Sequence, residues 1–172
     1  MDDMDEVSGG VKLIDLVEEC VEVYFWDVDR RSGRHLWFEF EGKWGSYYSF
    51  DVVAKESNDR LCITCSLPMK IAARNNKRAL GRLQELFRLI HHDEHSLGTF
   101  SCSKPDLGNI VVQWSYQIPF GMADDHAEVG QLLLDATAEV DRYYDQLRTV
   151  LVSNDDAQET LDTAAPEIFG TA

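Results

Sequence analysis

Apolar and polar positions along the chain change period several times, and each change marks an element. Leu13, Ile14, Val17, Cys20, Val21 and Tyr24 recur at spacings of three and four, with Asp15, Glu18, Glu19 and Glu22 on the other side. That is the pattern of an amphipathic helix beginning at Val11. After "DRRSG" (29–33), read as a turn, Leu36, Phe38 and Phe40 alternate with Trp37, Glu39 and Glu41. A period of two predicts a half-buried strand. "GKWG" (42–45) predicts a hairpin into "SYYSFDVVA", and "SND" (57–59) a second turn into "RLCITCSL". Three neighbouring strands joined by short turns form an antiparallel meander.

Pro68 is read as the start of a long helix to about His92, with Ala72, Leu80, Leu83, Leu86, Phe87 and Ile90 as its apolar positions. "TFSCS" and "NIVVQWSYQI" are two further strands around the turn 104–109. A third helix from about Asp124 to Val152 places Val129, Leu132, Leu133, Ala136, Val140, Tyr143, Leu147, Val150 and Leu151 on one stripe. "SNDD" (153–156) announces a short last helix near 156–169. The expected fold is α+β, an antiparallel five-stranded sheet flanked by helices in the order α-βββ-α-ββ-α-α. Residues 1–10 are expected to be a disordered acidic head and 11–172 a single domain.

The formal net charge of −15 changes the list of plausible partners. An acidic surface repels phosphate backbones and anionic lipid, which argues against nucleic acid and membrane surfaces. The start "MDDMDEVSGG" lacks the basic and apolar regions of a signal peptide, so a soluble, cytoplasmic protein with reduced cysteines is expected.

"LIHHDEHSLGTFSC" (89–102) is the richest concentration of chemistry. His91 and His95 would share a face of a continuous helix, and with Glu94 would suggest a metal-dependent enzyme. The zinc-protease order of His-Glu-x-x-His is not met, because His92 stands where the glutamate belongs and Glu94 precedes the second histidine. Gly98 also points to a helix end here, so the favoured reading is a polar helix terminus, with no metal, cofactor or catalytic residue. Cys62 and Cys65 lie three apart on a strand and face opposite ways, which disfavours a redox pair or a shared ion.

Lys70, Arg74, Lys77, Arg78, Arg82 and Arg88 concentrate six of the chain's 16 basic residues on the second helix. Residues 1–22 hold eight acids and 124–167 hold twelve, so this is one basic face on an acidic body. Arg74, Lys77, Arg78 and Arg82 are the candidate partner-binding residues, for an acidic partner or a second copy. Nucleic-acid regulation through the same helix is the competing use of these cations.

Several segments together carry a family resemblance: "LVEECVEVYFWDVDRRSGRHLWFEFEGKW", "LCITCSLPMKIAARNNKRALGRLQELFRLIHHDEHSLGTFSC", "AEVDRYYDQLRTVL" and the tail "SNDDAQETLDTAAPEIFGTA". In order and spacing the chain resembles the YbjN family, a bacterial group labelled sensory transduction regulators. It departs from that pattern at His92 and Asp145. The resemblance implies a fold similar to type III secretion chaperones, usually homodimeric, with no catalytic residues. The function expected is a non-enzymatic, chaperone-like or regulatory adaptor that binds another polypeptide. Trp37, Trp44 and Trp114 are its candidate adhesive positions, set against core packing.

Overall fold

The computed structural model describes residues 9–24, 27–43, 45–72, 77–103 and 109–152. In chain order the elements are α1 (Gly9–Val23), β1 (Val28–Ser32), β2 (His35–Glu41), β3 (Tyr47–Lys55), β4 (Arg60–Ala72), α2 (Lys77–His91), β5 (Thr99–Ser103), β6 (Asn109–Pro119) and α3 (His126–Val152). The α+β class and the antiparallel sheet are as expected. Among the described residues the sheet has six strands, in the order β1-β2-β3-β4-β6-β5.

The sixth strand is β1, which occupies most of the stretch read as a turn. Val28 pairs with Phe38 and Ser32 with His35, so the reversal is confined to Gly33 and Arg34. A short, charged strand at a sheet edge lacks the apolar alternation that betrays interior strands. Arg30 ties it to α1, with Nη2 donating to Asp15 at 2.8 Å and Nη1 to Glu18 at 2.5 Å.

Pro68 does not begin a helix. β4 continues through it to Ala72, with a register shift between Ser66 and Lys70, and α2 begins only at Lys77. Proline is tolerated there because the irregularity removes the need for its missing N–H. α1 begins at Gly9, so Gly9 and Gly10, expected in the acidic head, are helical. Gly10 is buried, and a Cβ there would lie 3.0 Å from Ala54 and from the Phe120 ring. α3 starts at His126 rather than near Asp124. Residues 1–8, Trp44, Arg74, the turn 104–108 and the expected last helix lie outside the described residues.

One face of the sheet carries the core. Leu36, Phe38, Phe50, Val52, Leu61, Ile63, Cys65, Val112, Trp114 and Phe100 alternate inward. They meet the apolar stripes of the three described helices: Ile14 and Val17 of α1, Leu83 and Leu86 of α2, Val140 and Leu147 of α3. Phe38 stacks on Phe50 at 5.0 Å between ring centroids, and Tyr143 meets the edge of Phe100 at 5.8 Å. The opposite face is a ladder of Trp37, Asp51, Thr64, Ser115 and Thr99, and no described helix covers it. Trp114 is thus core, while Trp37 is half-buried on the open face beneath the Arg31 guanidinium. Cys65 and Cys62 do point to opposite faces.

Candidate functional site: the junction and grooves along α3

α2 stops at His91, so His91 and His95 do not share a helix face. The His91 ring is occupied in another way: its Nε2 accepts the backbone N–H of Phe100 at 3.0 Å, covering an outward-pointing donor on the edge of β5. Asp93 Oδ1 accepts the N–H of His95 at 3.0 Å, and its Oδ2 accepts the Tyr143 hydroxyl at 3.1 Å. The His95 amide holds the Asp93 carboxyl below its usual range against the opposing effect of burial, with smaller help from the Tyr143 hydroxyl and the Arg142 charge. Burial, with the nearby Asp93 charge, pushes the Tyr143 phenol up to about 12, partly offset by Arg142.

The residue that organises the junction was not singled out by sequence. Glu139 is 8% exposed and reaches from α3 into the loop. Its Oε2 accepts Leu97 N–H at 2.6 Å, and its Oε1 accepts Gly98 N–H at 3.1 Å, Ser96 Oγ at 3.2 Å and Trp114 Nε1 at 3.0 Å. Four donors on one carboxylate satisfy a buried charge and fix the chain where it enters β5. Gly98 is required here, because a Cβ would stand 2.2 Å from the Trp114 indole.

A second buried acid, Asp141, does the same for the β2–β3 hairpin. Its Oδ1 accepts the Tyr48 hydroxyl at 3.0 Å and the Lys43 N–H at 3.2 Å. Burial first, then this carboxylate, raise the Tyr48 pKa far above the usual phenol value. Burial likewise raises the thiols of Cys65, Cys20 and Cys102, which keeps them protonated and weakly nucleophilic.

His91, Glu94 and His95 are not brought together as a ligand set. Among the described residues the three-acid group with converging oxygens is Asp124, Asp125 and Glu128, exposed at the start of α3. Those acids act as a cap: Asp125 Oδ1 accepts Glu128 N–H at 2.9 Å and Glu128 Oε2 accepts Asp124 N–H at 3.2 Å.

The basic candidates divide. Lys77 and Arg78 are exposed in the first turn of α2, Arg82 is half-buried one turn on, and Arg74 lies outside the described residues. Arg88, also exposed, is held by Glu85 at 2.6 Å. The first turn of α2 contains no acid, so Lys77 and Arg78 sit where the helix dipole disfavours cations.

No protein-family model, curated protein or solved structure matches the chain.

Two clefts run along one flank of α3 and meet at Asp135. The first, about 440 Å³, lies against the junction between Leu97, Glu94, Arg142 and Tyr143. The second, about 480 Å³, is apolar and is formed by Tyr116, Ile118, Met122, Ala127 and Leu132. Met122 lines this cleft and is 66% exposed. The second cleft exists because β5 begins at Thr99 opposite Ser115, while β6 continues to Pro119. Glu139 pulls residues 96–98 up toward α3, so the chain does not accompany β6 any further. No sequence pattern announced this groove, which arises from a difference in strand length. No helix among the described residues is long and apolar enough to cross a membrane.

Proposed function

We propose that the protein is a non-enzymatic adaptor, chaperone-like or regulatory, that holds part of another polypeptide in the groove between α3 and the end of β6. The observation that carries this reading is the apolar cleft of Tyr116, Ile118, Met122 and Leu132 lying directly beside a strand edge that β5 leaves open. Apolar pockets next to an unpaired edge are how sheets receive extended chains. The side chains that look most reactive support it from the other direction, since His91, Asp93, Glu139 and Asp141 are committed to holding loops and strands. The resemblance to the YbjN family points the same way.

Lys77 and Arg78 provide a second contact, suited to an acidic surface, including that of a second copy in a homodimer. The reading is tested by placing a photoreactive amino acid at Met122 and, as a control, at Asn58 in the exposed β3–β4 turn. Irradiation in host cells should yield one dominant protein adduct from position 122 and none from 58. No adduct at 122, or the same adducts at both positions, would sink the proposal.

A further inference from the structure

We infer that the segment held in this groove is extended and carries an apolar residue with a lysine or arginine two positions to either side. The inference rests on the polypeptide-binding reading above and names the chemistry of the occupant.

Phe100 turns its N–H away from β6 toward His91, and Phe120 turns its N–H toward Asp59 on the β4 side at 2.8 Å. Backbone groups alternate in an antiparallel ladder, so the odd-numbered residues of β6 face β5. Gln113 and Ser115 do so opposite Ser101 and Thr99. Gln117 faces the same way where β5 has ended, and among the described residues its N–H and C=O have no backbone partner. Pro119, next in that row, offers only a carbonyl, as suits an edge. An added strand would pair at Gln117.

Tyr116 and Ile118 point to the helix side, where Ala127, Leu132 and Met122 complete the apolar cleft. Alternate residues of an added strand would point into it. The rim is acidic on the α3 side: Glu128 and Asp135 are both exposed and both line the cleft, and the other acids of the cap, Asp124 and Asp125, lie close to Glu128. Among the described lining residues of this cleft there is no cation. Glu128 and Asp135 stand seven positions apart on α3, about 10.5 Å along the axis. Residues two before and two after a central apolar position on a strand stand about 13 Å apart on the same face. Long basic side chains at those positions span the difference, and an acidic segment would meet like charge.

The test uses the full chain and a fluorescein-labelled heptapeptide of threonines, with leucine at its centre and lysine two positions to either side. A counterpart carries glutamate for lysine, and another carries N-methyl groups on the amides that would face β6. Fluorescence anisotropy should show saturable binding of the lysine peptide. Asp135→Lys should weaken it by about fivefold or more, and Ala127→Trp, which plugs the cleft without changing charge, by about tenfold or more. N-methylation should cost about tenfold. Both substitutions are at exposed helical positions, and circular dichroism checks that they fold. Binding that survives Ala127→Trp and N-methylation is general attraction to an acidic protein and overturns the inference. So does equal binding of the glutamate peptide, or no binding of any peptide. The crosslink from Met122 keeps this failure separate from failure of the broader reading: an adduct to an acidic or helical segment would refute the occupant's chemistry while leaving the polypeptide-binding role in place.

Discussion

Replacing Glu139 with glutamine tests the junction that creates the groove. The carboxylate accepts three donors on Oε1 and one, Leu97 N–H at 2.6 Å, on Oε2. An amide keeps the shape but has one oxygen. With that oxygen at the Oε1 position, its NH2 group faces the Leu97 N–H, donor against donor. One charge-assisted bond is lost, a buried donor is left unpaired, and three bonds become neutral. Relief from burying a charge offsets part of this, leaving a net cost of about 2 kcal/mol. A urea m-value of about 2 kcal/mol/M for a chain this size turns that into a midpoint lowered by about 1 M. Unfolding followed by tryptophan fluorescence reads the shift. Hydrogen exchange should show the Leu97 and Gly98 amides losing protection before the rest of the sheet. A midpoint change under about 0.25 M, with those amides still protected, would refute the claim that Glu139 holds the loop.

Three further outcomes follow from the same geometry. Gly98→Ala drives a Cβ into the Trp114 indole, which stands 2.2 Å away, and should destabilise by about 2–3 kcal/mol in the same urea assay. Lys77→Glu removes a cation from the positive end of α2 and should raise stability by about 0.5 kcal/mol at low salt, an increase that shrinks as salt is added. Asp93 has a folded pKa below its unfolded value, so its contribution is present above about pH 4 and is lost as pH falls through the folded value. Wild type should therefore exceed Asp93→Asn in stability at neutral pH, with the two converging in acid, as measured by urea midpoints across pH.

The parts of the fold visible in the sequence were those where one face is buried and the other wet. Leu36, Phe38 and Phe40, or Leu13, Ile14 and Val17, carry their period openly because burial demands it. β1 was hidden because an edge strand held by Arg30 ion pairs needs no apolar alternation. Pro68 misled because proline's usual meaning, a helix start, was overridden by an irregularity in β4 that only the pairing with β6 creates. Glu139 was one acid among many on α3, and nothing local marks it as the acceptor for a loop 41 to 43 residues earlier. The groove was further out of reach, since it depends on where β5 stops relative to β6. Of the partner-binding candidates, Lys77 and Arg78 are exposed in the first turn of α2, not midway along a helix begun at Pro68.

Amide hydrogen exchange at Gln117, read by NMR with and without the lysine–leucine heptapeptide, tests whether the edge of β6 is open. The open edge predicts that the Gln117 amide exchanges quickly in the free protein although Tyr116 and Ile118 on either side are protected, and that it becomes protected when the peptide is added. A Gln117 amide as protected as its neighbours in the free protein would contradict the account, because the edge on which the groove depends would already be filled.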